Sequence, residues 1–159
     1  MIVTTDIKQT TILKKISLKG VGLHTGKDVT LTFVPASADS GYVFKRIDLE
    51  NSPTIQADIK YVSSTDRGTC LNKNGLIIQT CEHVLAALVG SEIDNVIIEL
   101  NESEPPIMDG SAKFFVDALG KAGVKQLHTK RREFVVKRVI SFKDEDTGSE
   151  IMVLPAKNY

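Results

Sequence analysis

The chain has 159 residues, 42% hydrophobic and 25% charged, enough to bury a core without disulfide or metal staples. Its 20 basic and 20 acidic residues cancel, so no nucleic-acid footprint is expected, and Lys130-Arg131-Arg132 is too short a cluster to change that. No apolar run reaches membrane-spanning length and residues 1–15 lack a signal-peptide apolar region, so Cys70 and Cys81 are expected as reduced thiols of a cytoplasmic protein.

In chain order, residues 10–18 are rich in β-branched and basic side chains and are expected as a strand. Gly20, Gly22 and Gly26 punctuate the next stretch. Residues 28–34 then alternate, with Val29, Leu31 and Phe33 on one face, until Pro35 ends the strand. Residues 41–47 and 55–62 are further strands. Asn72-Lys73-Asn74-Gly75 is a turn signal between residues 69–71 and 76–78, which predicts a hairpin. The period then changes. Thr80 is expected to cap a helix with Val84, Leu85, Leu88 and Val89 at helical spacing, and Gly90 to stop it. Residues 95–100 read as a buried strand and 101–106 as a polar loop ended by proline. Ser111 is expected to cap a second helix striped by Phe114, Phe115, Ala118, Leu119 and Ala122, with Gly123 just after it. Strands, helix, strand, helix is the order of an α+β fold, read here as a two-layer sandwich with helices on one face of a mostly antiparallel sheet.

Residues 125–132 read as a basic linker, 134–142 as a strand, 143–149 as a polar turn and 150–154 as a strand. This repeats the start of the chain, where strand, turn and strand lead into Phe33-Val34-Pro35-Ala36; here they lead into Val153-Leu154-Pro155-Ala156. The expectation is a first α+β domain over residues 1–126. Residues 127–159 would then be a linker and the first hairpin of a second, similar repeat, cut off at Tyr159.

Glu82 and His83 are the first candidates for chemistry. Both fall in the first turn of the expected helix, where the partial positive charge favours a carboxylate and disfavours a second positive charge. A neutral imidazole is what a metal needs. Adjacent positions project about 100° apart, so one side chain can hold a metal while the other reaches water bound to it. On spacing alone the pair reads as readily as an N-terminal charge preference beside a surface imidazole. A catalytic zinc usually takes three protein ligands. The histidines are His24, His83 and His128, and neither His83 nor His128 is followed at the fourth position by a histidine, aspartate or glutamate. A structural Cys70/Cys81/His83 site is one alternative, and a non-catalytic α+β module that binds a partner in its groove is another. Gly20-Val21-Gly22-Leu23-His24-Thr25-Gly26 reads either as a bulged hairpin turn or as a loop whose backbone approaches a ligand, with His24 at its tip. Asp109-Gly110-Ser111 reads as a structural turn before the second helix. Residues 63–68, through Thr65, Asp66 and Arg67, read as a surface loop or ligand wall.

Four segments in this order resemble the zinc-dependent UDP-3-O-acyl-N-acetylglucosamine deacetylases of lipid A biosynthesis. They are the glycine segment from Gly20 to Gly26, Thr80-Cys81-Glu82-His83-Val84-Leu85-Ala86-Ala87-Leu88, Ile93-Asp94-Asn95-Val96, and Pro106-Ile107-Met108-Asp109-Gly110-Ser111-Ala112. The resemblance implies two similar α+β domains with the active site between them. It implies that His83 is one of three Zn2+ ligands, the others being a His-x-x-x-Asp pair of a second domain that this chain does not contain. It implies that Glu82 is the general base, and that Leu23, His24, Thr65, Asp66 and Arg67 border the substrate. Asp66, Arg67 and Gly68 stand where many relatives have bulkier apolar residues. The implied reaction releases acetate from a UDP-linked, acylated glucosamine in the cytoplasm, close to a membrane surface. Some relatives are fused to a hydroxyacyl-carrier-protein dehydratase. The implied partner is the missing second domain.

Overall fold

Segments rich in β-branched and alternating apolar residues fold as strands in the computed structural model, which describes residues 1–156. In chain order they are β1 (Ile2–Ile12), β2 (Ile16–Val21), β3 (Asp28–Pro35), β4 (Tyr42–Arg46), β5 (Thr54–Gln56), β6 (Val62–Ser64), β7 (Cys70–Lys73) and β8 (Leu76–Ile78). Helix α1 (Glu82–Gly90) and β9 (Val96–Leu100) follow, then α2 (Lys113–Ala122), β10 (Val124–Phe134), β11 (Ile140–Lys143) and β12 (Glu150–Val153). The chain divides into two compact units, residues 9–129 and residues 1–8 with the segment from 130 onward.

The larger unit is built on a five-stranded sheet ordered β2-β3-β9-β4-β5. Its neighbours are antiparallel except β4 and β9, which run parallel. Val29, Leu31 and Phe33 of β3, and Val96, Ile98 and Leu100 of β9, all point into the core. Both helices cover that buried face. Val84, Ala87 and Leu88 of α1 and Phe115, Leu119 and Ala122 of α2 belong to the same apolar cluster as the sheet residues. Phe115 meets Phe33 edge-to-face, with ring centroids 6.5 Å apart and planes at 87°. The fold is α+β, and its sheets are mostly antiparallel.

A second, three-stranded sheet, β6-β7-β8, carries the expected hairpin. Lys73 pairs with Leu76, so Asn74 and Gly75 alone make the turn. Both have positive φ, 53° and 87°, as a two-residue hairpin turn of this hand requires.

Several expectations need correction. The strand over 10–18 is two strands, broken between Ile12 and Ile16, where the Leu13 amide donates to Gly123 O instead of continuing a ladder. The strand over 55–62 is interrupted by a short 3-10 turn, Ile59–Tyr61. The basic linker over 125–132 is part of β10, which pairs with β1. Its charges misled because lysine and arginine on a sparsely covered strand stay in water while the backbone is hydrogen-bonded. The strand expected over 134–142 is the end of β10, a break and then β11. Val89 and Phe114, expected on the apolar stripes, are 58% and 41% exposed.

In the smaller unit, the Met1 amino group donates to Val135 O at 3.0 Å and Lys130 Nζ lies 2.7 Å from Asp6 Oδ1. There β11 and β12 form an antiparallel hairpin whose Phe142 and Ile151 are each 66% exposed.

Candidate active site

The site grows out of the end of β8. After Gln79 the chain must turn sharply into α1, and Thr80 makes the turn at φ 50°, a left-handed conformation that a β-branched residue rarely adopts. Thr80 is therefore not the helix cap. Cys81 occupies that position without a side-chain cap bond. The Thr80 hydroxyl instead donates to Glu104 Oε1 at 2.8 Å in the interior.

Cys81 is fully buried, and its thiol is pushed up to about 12, by burial first and then by the charge of Glu82. Its Sγ donates to Thr69 O. That is the behaviour of a core thiol. No group of three metal-ligating side chains converges among the described residues, so the structural Cys70/Cys81/His83 site is not supported.

Glu82 and His83 open α1 side by side, with half-buried side chains. Glu82 Oε2 accepts from the Thr69 amide at 2.9 Å, which fixes the carboxylate; Oε1 lies 4.0 Å from His83 Nε2. The same carboxylate abuts Gly68, where a Cβ would sit 3.4 Å from Oε1. Arg67 and Asp66, just before Gly68, are exposed, as is Thr65. His24 Nε2 is 3.2 Å from Arg67 O, and because a carbonyl only accepts, this pairing selects the tautomer with hydrogen on Nε2. His24, Asp66, Arg67, Gly68 and Thr80 thus border one depression beside Glu82. Leu23 and Thr65 do not line it. Nor do Asp109, Gly110 and Ser111, which form a turn ahead of α2. Asp109 Oδ1 accepts from the Ser111 amide and hydroxyl at 2.9 and 2.8 Å, and Ser111 Oγ accepts from the Lys113 amide. Those bonds, the Ser111 hydroxyl first, hold the Asp109 carboxyl below the usual range. Ala112, not Ser111, takes the cap position.

The glycine segment is the connection between antiparallel β2 and β3, closed by Gly22 N donating to Lys27 O at 3.0 Å. The His24 and Thr25 N–H groups donate to Glu104 Oε2 at 3.0 and 2.9 Å, and the Thr25 hydroxyl donates to the same atom at 3.0 Å. Gly22 is required by this approach: a Cβ there would stand 2.6 Å from Glu104 Oε2 and collide with Thr25 Oγ1.

Glu104 is the residue that sequence reasoning missed. It sits in what read as a plain polar loop, carries no periodicity and belongs to no spacing pattern. It is fully buried. Burial is the largest influence and pushes its carboxyl up, but the bonds from Thr25 N, Thr80 Oγ1, His24 N and Thr25 Oγ1 together pull it below the ordinary glutamate value of 4.5. A carboxyl depressed by folding contributes stability that is fully present above its unfolded value and is lost as pH falls through the folded one. Unfolding midpoints in urea should therefore drop more steeply between pH 5 and pH 3 for the native chain than for Glu104→Gln. Parallel acid limbs would refute the assignment.

The family model described as LpxC, UDP-3-O-acyl N-acetylglycosamine deacetylase, matches residues 9–159. The chain is 46% identical over 153 residues to a bifunctional LpxC/FabZ enzyme of Bacteroides thetaiotaomicron, covering 96% of this chain and 33% of that relative. It is 43% identical over 151 residues to a UDP-3-O-acyl-N-acetylglucosamine deacetylase of Geotalea uraniireducens (95% of this chain, 48% of the relative). The deacetylase of Blochmanniella floridana is 45% identical over 147 residues (91% and 49%). The chain thus spans about a third to about half the length of the curated relatives it matches. With the family match covering nearly the whole chain, it belongs to the UDP-3-O-acyl N-acetylglycosamine deacetylase family.

Proposed function

We propose that this chain forms one wall of a deacetylase active site that hydrolyses the N-acetyl group of UDP-3-O-acyl-N-acetylglucosamine to acetate and a free amine, in lipid A biosynthesis. The observation that supports it most is the pairing of Glu82 and His83 at the start of α1, with the Glu82 carboxylate fixed by the Thr69 amide, in a chain of this family. Glu82 is the general base: it takes a proton from the attacking water and returns it to the nitrogen as the C–N bond breaks. His83 is a zinc ligand, and the donor set fits a partial site. It offers one half-buried imidazole, and no group of three ligating side chains converges among the described residues; in this reading the other ligands belong to a second domain. Zinc bound there would supply a Lewis acid for the amide carbonyl. His24, Leu23, Thr65, Asp66 and Arg67 border the substrate. In this reading residues 127–159 begin a second, similar domain, and its packing covers the exposed apolar side chains of the β11–β12 hairpin. The protein acts in the cytoplasm, close to a membrane surface. Among the described residues no helix is long and apolar enough to cross a membrane.

Acetate release decides the matter. The 159-residue chain alone is expected to show none, whereas a longer form that supplies a second domain is expected to turn over in a chelator-sensitive manner. Brisk turnover by the shorter chain would overturn the reading. Substrate binding that survives both chelation and His83→Ala would favour a non-catalytic module instead.

A further inference from the structure

The buried carboxylate of Glu104 joins two parts of the site that are far apart in sequence. The His24 amide lies 80 positions from it, and the Thr80 hydroxyl 24 positions. Every partner donates: two backbone amides and two hydroxyls converge on an acceptor that has no hydrogen of its own when ionised. The successive His24 and Thr25 amides make a small anion-binding concavity, and the protein fills it with its own side chain.

The carboxylate is rigidly mounted. Pro105 and Pro106 follow it and are buried, and Pro106 packs so closely on β2 that a Cβ at Gly20 would stand 2.9 Å from its Cβ. Ser103 O accepts from the Gln79 amide at 2.8 Å, tying the same loop to the residue before Thr80. Thr80 in turn holds a left-handed backbone directly ahead of Cys81, Glu82 and His83. A threonine keeps such a conformation only where surrounding bonds over-determine it.

We propose that Glu104 is a positioning residue that couples the His24 loop to the first turn of α1, so that one buried carboxylate sets both the substrate-facing loop and the Glu82-His83 pair. The inference rests on the deacetylase reading for its functional consequence, but the coupling itself is a property of this chain. Each arm of the network has its own effect. The Thr80 arm orients the helix start and acts on kcat. The Thr25 arm orients the His24 loop and acts on KM.

In the full-length protein, Thr80→Val, which keeps the branched shape and removes only the hydroxyl, should lower kcat about tenfold with KM nearly unchanged. Thr25→Val should raise KM about fivefold or more with kcat kept. Thr80→Ser, which retains the hydroxyl, should restore kcat. If both variants lose kcat in proportion to lost folded protein, or if an active enzyme ignores both changes, the positioning role is wrong. The coupling is read separately in the 159-residue chain by amide resonances. Thr80→Val should shift the His24 and Thr25 amides, which are bonded to Glu104 and not to Thr80. Unmoved amides would overturn the coupling. Moved amides in a protein whose full-length form releases no acetate would uphold it and refute the deacetylase reading instead.

Discussion

Replacing Glu82 by glutamine in the full-length protein should lower kcat by roughly 10²–10⁴ while leaving the melting temperature almost unchanged. The reason for choosing glutamine is structural. Glu82 Oε2 accepts from the Thr69 amide, and a glutamine carbonyl can keep that bond, so the 65–69 loop stays where it is. What disappears is the capacity to take a proton. Alanine would remove the base and orphan the Thr69 amide together, mixing a catalytic loss with a positional one. Acetate release measured at saturating substrate, alongside zinc content, separates the two. Glu82→Gln should still bind zinc as the native protein does, because the ligand assigned here is His83. A variant that retains more than a tenth of native kcat would remove Glu82 from the role of base.

Phe33→Ala should cost about 3–5 kcal/mol of stability, a large share of the roughly 5–15 kcal/mol that holds a domain together. Phe33 is fully buried, lies opposite Ile16 on β2 and Ile98 on β9, and meets Phe115 edge-to-face. Truncation leaves a cavity where three elements join, and strands held by two neighbours cannot close over it. Urea unfolding should show a much lower midpoint with an unchanged slope. Phe114→Ala is the contrast. That ring is 41% exposed, so its removal should cost well under 1 kcal/mol. Equal losses for the two variants would mean that the helix–sheet layer is not where the stability resides.

Phe114 and Phe115 also show how far a sequence carries. They are adjacent, equally apolar and both at helical spacing, and nothing in the periodicity separates them. Only the angle at which α2 settles on the sheet decides that Phe115 goes in and Phe114 stays at the rim. The β3 alternation, the Asn74-Gly75 turn, the stop of α2 at Gly123 and the α+β order were all legible, because each depends on residues within a few positions of one another. So was the adjacency of Glu82 and His83, which the covalent chain alone guarantees. The strand character of residues 125–132 was not, because pairing with β1 is a contact between the two ends of the chain and the charged side chains conceal it. The left-handed Thr80 was not, because its conformation is imposed by Glu104 and by the sharp exit from β8. Glu104 itself was invisible for the same reason. A buried carboxylate is tolerated only where donors surround it, and here those donors come from two loops that only folding brings together. The sequence by itself determined the elements whose signals are local, the family resemblance and the pair that could do chemistry. The tertiary structure alone decided what holds that pair in place, since the energies that do so act between residues the chain keeps far apart.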